Sequence, residues 1–156
     1  MRSFTRYFAV LIAAVAATLF VAGTPAQADY ANCTYFGSQT LSKQITGCVQ
    51  VVWSGSTVLG ADYVDIGRDA STADSCTLTG WATLEDSSGF TWDSPHINTS
   101  CTVALKTTAE WDRQGGTFYN GGTVAVKFTP YMCVTLYWSG GARWQRCMTG
   151  LASYKP

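Results

Sequence analysis

Histidine is almost missing from this chain: His96, within Asp93-Ser94-Pro95-His96-Ile97-Asn98, is the only one. A Ser-His-Asp or Cys-His triad would have to use it, and no Gly-x-Ser-x-Gly elbow accompanies it. No Cys-x-x-Cys pair is present, which removes the usual zinc-ribbon and thioredoxin-like readings. Five carboxylates, Glu85, Asp86, Asp93, Glu110 and Asp112, lie near aromatics. Their spacing selects no pair to serve as acid and base in glycoside hydrolysis. Asp62, Asp65, Asp69 and Asp74 do not follow the Asp-x-Asp-x-Asp-Gly spacing of a calcium loop. No metal, no cofactor and no catalytic set is therefore expected.

Charge is also scarce, at 13% of residues. There is no basic surplus of the kind that nucleic-acid binders and polybasic membrane-surface proteins carry. Only one long apolar run occurs, Phe8 to Ala22, preceded by Arg2 and Arg6 and followed by Ala26-Gln27-Ala28. That order of charge, apolar core and small-x-small site reads as a secretory signal peptide over residues 1–28. With no second run, no membrane span is expected. The remaining 128 residues, Asp29 to Pro156, carry eight basic and ten acidic side chains, a net charge of −2. Such a length is one domain's worth, and no linker or repeat divides it.

What the chain does have is cysteine. Cys33, Cys48, Cys76, Cys101, Cys133 and Cys147 make an even count behind a signal peptide, so three disulfides are expected in an oxidising, extracellular setting. The favoured pairing is Cys33–Cys48, Cys76–Cys101 and Cys133–Cys147. Its strongest support is at the C-terminus, where a loop centred on Gly140 sets Trp138 opposite Ala142. Continuing that register places Cys133 opposite Cys147 on one face, within disulfide reach. Met132, Val134, Leu136, Trp144 and Met148 then share the other, buried face, with Arg146 opposite Val134. The same counting about Ser88-Gly89 sets Cys76 against Cys101, with Pro95 interrupting the ladder.

Period-two alternation recurs and helical periodicity does not. Thr77 to Leu84 turns Leu78, Gly80, Ala82 and Leu84 to one face. Val49 to Trp53 reads as a core strand, and Ala61 to Ile66 as a weaker one. Cys101 to Trp111 alternates as a half-buried strand, and Thr123 to Thr129 as another with Val124, Val126 and Phe128 inward. Turns are expected at Ser54-Gly55-Ser56, Ser87-Ser88-Gly89, Gln114-Gly115-Gly116, Asn120-Gly121-Gly122 and Ser139-Gly140-Gly141. Seven or eight short strands between such turns predict an all-β, antiparallel β-sandwich, ranked ahead of a barrel.

Two features remain as candidate sites. Asp62, Asp65, Asp69 and Asp74, opposed only by Arg68, form an acidic strip that would steer a secreted partner with a basic cleft. Trp92, Trp138 and Trp144 lie near turns and are the aromatic surface candidates, suited to a protein interface or to stacking on polysaccharide. The secreted, six-cysteine layout from Cys33 to Cys147 resembles the small disulfide-rich secreted proteins of actinobacteria. With the acidic stretch Asp62 to Asp74, it is similar to the adaptor subunits of umbrella-shaped secreted toxin particles. That resemblance implies a non-catalytic subunit tying a lectin-like subunit to a toxin-bearing one. The expected function is thus a secreted protein-binding module, an adaptor subunit or an inhibitor. A carbohydrate-binding module is the alternative, and a small hydrolase ranks last.

Overall fold

Apolar residues at every second position must all leave water together, and two facing sheets accomplish this. A computed structural model describes residues 30–36, 45–67, 72–106 and 111–156. The expected signal segment and Asp69 lie outside the described residues. Among the described residues ten strands and one helical turn follow one another: β1 (Tyr30–Tyr35), β2 (Ile45–Ser54), β3 (Thr57–Gly67), β4 (Ser75–Glu85), β5 (Thr91–Asp93), β6 (Ile97–Ser100), α1 (Thr102–Leu105), β7 (Trp111–Gly122), β8 (Lys127–Tyr137), β9 (Arg143–Thr149) and β10 (Ser153–Tyr154). All pairings are antiparallel. Four strands form one sheet in the order β1-β2-β3-β7. Six form the other, with β4 and β8 at its centre, β5 and β6 beside β4, and β9 and β10 beside β8.

The two sheets share their core. One cluster joins Ile45, Val49, Val64 and Ile66 of the first sheet to Leu78, Met132, Val134 and Leu136 of the second. The other joins Val51, Val58 and Phe118 to Ala82, Leu84 and Phe128. Phe118 reaches that core through a bulge: Tyr119 opposes Gly60 and Thr117 opposes Ala61, leaving Phe118 without a partner. Two glycines make room for its ring. A Cβ on Gly60 would fall 2.6 Å from it, and one on Gly80 2.7 Å.

The structure joins Cys33–Cys48, Cys76–Cys101 and Cys133–Cys147. Trp138 N–H donates to the Ala142 carbonyl, and Gly141 takes the positive φ of 83° that the β8–β9 turn needs. Pro95 splits the return strand into β5 and β6, whose registers on β4 differ by one residue.

Four local readings need correction. Cys101 to Trp111 does not run as one strand: Thr102–Leu105 forms α1, which buries Ala104, and β7 starts only at Trp111. Thr123 to Thr129 does not alternate throughout. Val124 is 80% exposed while Ala125 and Phe128 are buried, because bends at Val124 and Val126 precede the strand. Neither Gln114-Gly115-Gly116 nor Asn120-Gly121-Gly122 is a turn: both lie in β7, where Gly115 and Gly116 oppose Tyr63 and Asp62, and Gly121 and Gly122 oppose Val58 and Thr57.

Candidate functional site

The outer face of the six-stranded sheet is laid out by its registers in rows of side chains. From one end these rows are Glu85 and Lys127, then Asp93, Thr83 and Thr129, then Trp81, Tyr131 and Thr149. Next come Asn98, Thr79, Cys133 and Cys147, then Ser100, Thr77, Thr135 and Gln145. Charges are confined to the margins. Lys127 pairs with Glu85 at 2.8 Å, and Asp93 accepts from Thr83 at 2.7 Å. Thr79 donates to Asn98 at 2.6 Å and Gln145 to Thr135 at 3.0 Å, so the polar groups of the inner rows are cross-linked.

Three rings cross the middle of this face. Trp81 and Tyr131 are direct cross-strand partners with ring centroids 5.3 Å apart and planes 9° from parallel. His96, carried in by the chain after Pro95, stacks on Trp81 at 4.5 Å and 15°. Stacking between neighbouring strands stands the rings upright on the sheet. The faces of Trp81 are thus occupied by its neighbours, leaving its edge toward solvent. His96 is exposed, and Trp81 and Tyr131 are half-buried. The turn-proximal positions in the sequence point to other tryptophans; the signal for this row is the outward position of Trp81 within Thr77 to Leu84.

The sequence candidates are dispersed. Asp62 is 3% exposed and points into the sandwich, so it cannot belong to a surface strip. Asp65 faces outward but is held by Arg113 through two bonds of 2.7 and 2.8 Å, with the guanidinium 4.2 Å above the Tyr63 ring. Asp74 accepts from Ser139 N–H and ties down the β8–β9 turn. The acidic strip is therefore corrected to one buried, one paired and one structural carboxylate, with Asp69 outside the described residues. Trp138 and Trp144 pack against one core cluster and Trp92 against the other. Trp138 donates to Thr72, Trp92 stacks with Phe90, and Trp144 lies under the Arg146 guanidinium at 5.5 Å. These three form no common platform.

Charge asymmetry exists elsewhere. From residue 113 to the end the chain carries Arg113, Lys127, Arg143, Arg146 and Lys155 and no Asp or Glu. Arg143 is exposed on β9 at one margin of the aromatic face, while Arg146, also exposed, is turned to the other face opposite Val134. Asp62 has its carboxyl pushed up to about 6 by burial, partly offset by backbone hydrogen bonds from Gly116 and Asp62 itself. Among the described residues no group of three or more His, Cys, Asp or Glu could hold a metal. No helix there is long and apolar enough to cross a membrane.

No protein-family profile matches the chain, and no curated protein matches it either. Among solved structures, it is similar to a protein from Bordetella pertussis described as ApaA, at 10% identity and a TM-score of 0.39. That match covers 82% of this chain and 94% of the other. A likeness at that level carries no functional argument.

Proposed function

We propose that this protein is a secreted, non-catalytic protein-binding module that meets its partner with the outer face of the six-stranded sheet. The carrying observation is the make-up of that face: rigid, pre-stacked Trp81, Tyr131 and His96 at its centre, with charges only at its margins. Interface cores are poor in charge and rich in aromatics, and ordered rings lose little entropy on binding. The three disulfides and the signal-like segment support an extracellular setting. An adaptor subunit, as in the toxin-particle resemblance, and an inhibitor are two forms of this reading.

Polysaccharide binding is the competing reading, favoured by the Thr and Asn side chains flanking the rings. The upright stack counts against it, since a sugar ring needs the open face of an aromatic and Trp81 has none to offer. The full chain, immobilised and exposed to host culture supernatant, should retain a protein. A His96→Ala/Tyr131→Ser variant with unchanged near-UV dichroism should lose it. Equal retention by both would reject the face, and retention of polysaccharide without protein would establish the competitor.

A further inference from the structure

Of the three disulfides two have an exposed member, Cys33 and Cys147, and the third is closed to solvent. Cys76 and Cys101 are 1% and 0% exposed. Cys133–Cys147 links directly opposite residues of β8 and β9, and while Cys133 is 6% exposed, Cys147 is open to solvent. Displacement at sulfur requires a nucleophile in line with the S–S bond, behind the sulfur attacked. For Cys147 that path crosses the outer edge of β9, which among the described residues pairs only with β8. For Cys133 it would come from β4 over Thr79, its cross-strand neighbour. Charge favours the same direction: Arg143 shares the outer face of β9 with Cys147, and neither β8 nor β9 carries an Asp or Glu. A thiolate is drawn to such surroundings. Cys33 also lies on an edge strand, but the Tyr63 hydroxyl sits 3.8 Å from its sulfur and Asp65 shares that outer face.

We propose that Cys133–Cys147 is a thiol-exchange site that accepts a small-molecule thiolate at Cys147. The incoming sulfur bonds to Cys147 Sγ, the S–S bond breaks, and its electron pair leaves on Cys133, which takes a proton from solvent. A second thiolate then attacks the small-molecule sulfur of the mixed disulfide and releases Cys147. The protein disulfide is reduced and two small thiols become one disulfide. The hairpin survives this exchange because its ladder runs from Tyr131–Thr149 to Tyr137–Arg143. Met132, Leu136 and Met148 also remain packed in the core. The site stands on the geometry of the hairpin and does not depend on what binds the neighbouring rings.

The test treats the native full chain with glutathione, quenches with an alkylating agent and maps the modified peptides. A glutathione adduct on Cys147 and an alkyl group on Cys133 are expected, with tryptophan fluorescence unchanged. Opening there should be at least about tenfold faster than at Cys76–Cys101, which needs a larger opening of the fold. A Cys33→Ser/Cys48→Ser variant, lacking the other edge disulfide, should give the same adduct. An adduct on Cys133 instead, no adduct at all, or simultaneous opening of all three disulfides with loss of the fluorescence signal would overturn the proposal.

Discussion

Asp62 occupies an inward position of β3 between the two apolar clusters, and its Oδ2 has no hydrogen-bond partner. Its position explains the glycine opposite, since a Cβ on Gly80 would fall 2.7 Å from that oxygen. Burial raises its pKa from 3.8 to about 6. For an acid whose folded pKa is raised, the folded state binds the extra proton between those two values. The penalty is absent below the unfolded pKa and fully present above the folded one. Stability should therefore fall between about pH 4 and pH 6, by about 3 kcal/mol for a shift of this size. Urea unfolding across that range checks this, and Asp62→Asn should flatten the fall and be the more stable chain at pH 7. A wild type that gains stability over the same interval would refute the assignment. The neighbouring Phe118 is 5% exposed and fills the space left by Gly60 and Gly80. Phe118→Ala should cost about 3–5 kcal/mol in the same assay; a loss under 1 kcal/mol, by that scale, would mean the bulge does not support the core.

The β8–β9 hairpin is the element the sequence describes best. Its glycines, its apolar face and its cysteines each imply one register, and Met132, Leu136 and Met148 are buried as that register requires. Closing 14 residues, the disulfide contributes about 3 kcal/mol in the chain-entropy model. Cys133→Ser/Cys147→Ser should lose no more than this in urea unfolding and keep its dichroism spectrum; collapse of the fold would show that the ladder alone cannot hold the hairpin. Thr77 to Leu84 was equally legible, because a central strand must bury every second residue. The region after Cys101 was not. A single helical turn buries one residue, Ala104, and four residues are too few to establish a period against an alternating background. Val124 and Val126 misled for a related reason: β-branched residues favour strands, yet here they line the bends before one. The acidic residues failed differently. Asp62 and Asp65 are close in sequence, but a strand sends odd and even positions to opposite faces, so nearness along the chain never implied a shared surface.

Across the whole molecule, charge separates along the chain rather than around a strip. Every acidic residue precedes residue 113, and the last five charges are all basic. Three of those, Lys127, Arg143 and Arg146, lie on β8 and β9, the strands that also carry Tyr131. Lys127 is paired with Glu85, which leaves Arg143 as the cation at the β9 margin of the aromatic face, while Arg146 is turned to the other face over Trp144. A partner docking on that face therefore meets positive charge at its β9 margin and should present acidic groups there, the reverse of the basic cleft that the acidic strip implied. Marginal charges act mainly on encounter, so their removal should change the association rate more than the lifetime of the complex. Arg143→Gln should slow association by up to about tenfold at low salt and flatten its dependence on ionic strength, whereas Arg146→Gln, on the other face, should change it less. Dissociation should remain near that of the unaltered chain, because the central rings are untouched. Association and dissociation measured over a salt series, with the partner recovered from supernatant, provide the check. Faster association of Arg143→Gln would mean that the partner is basic at this margin, and the orientation of the complex would have to be reversed.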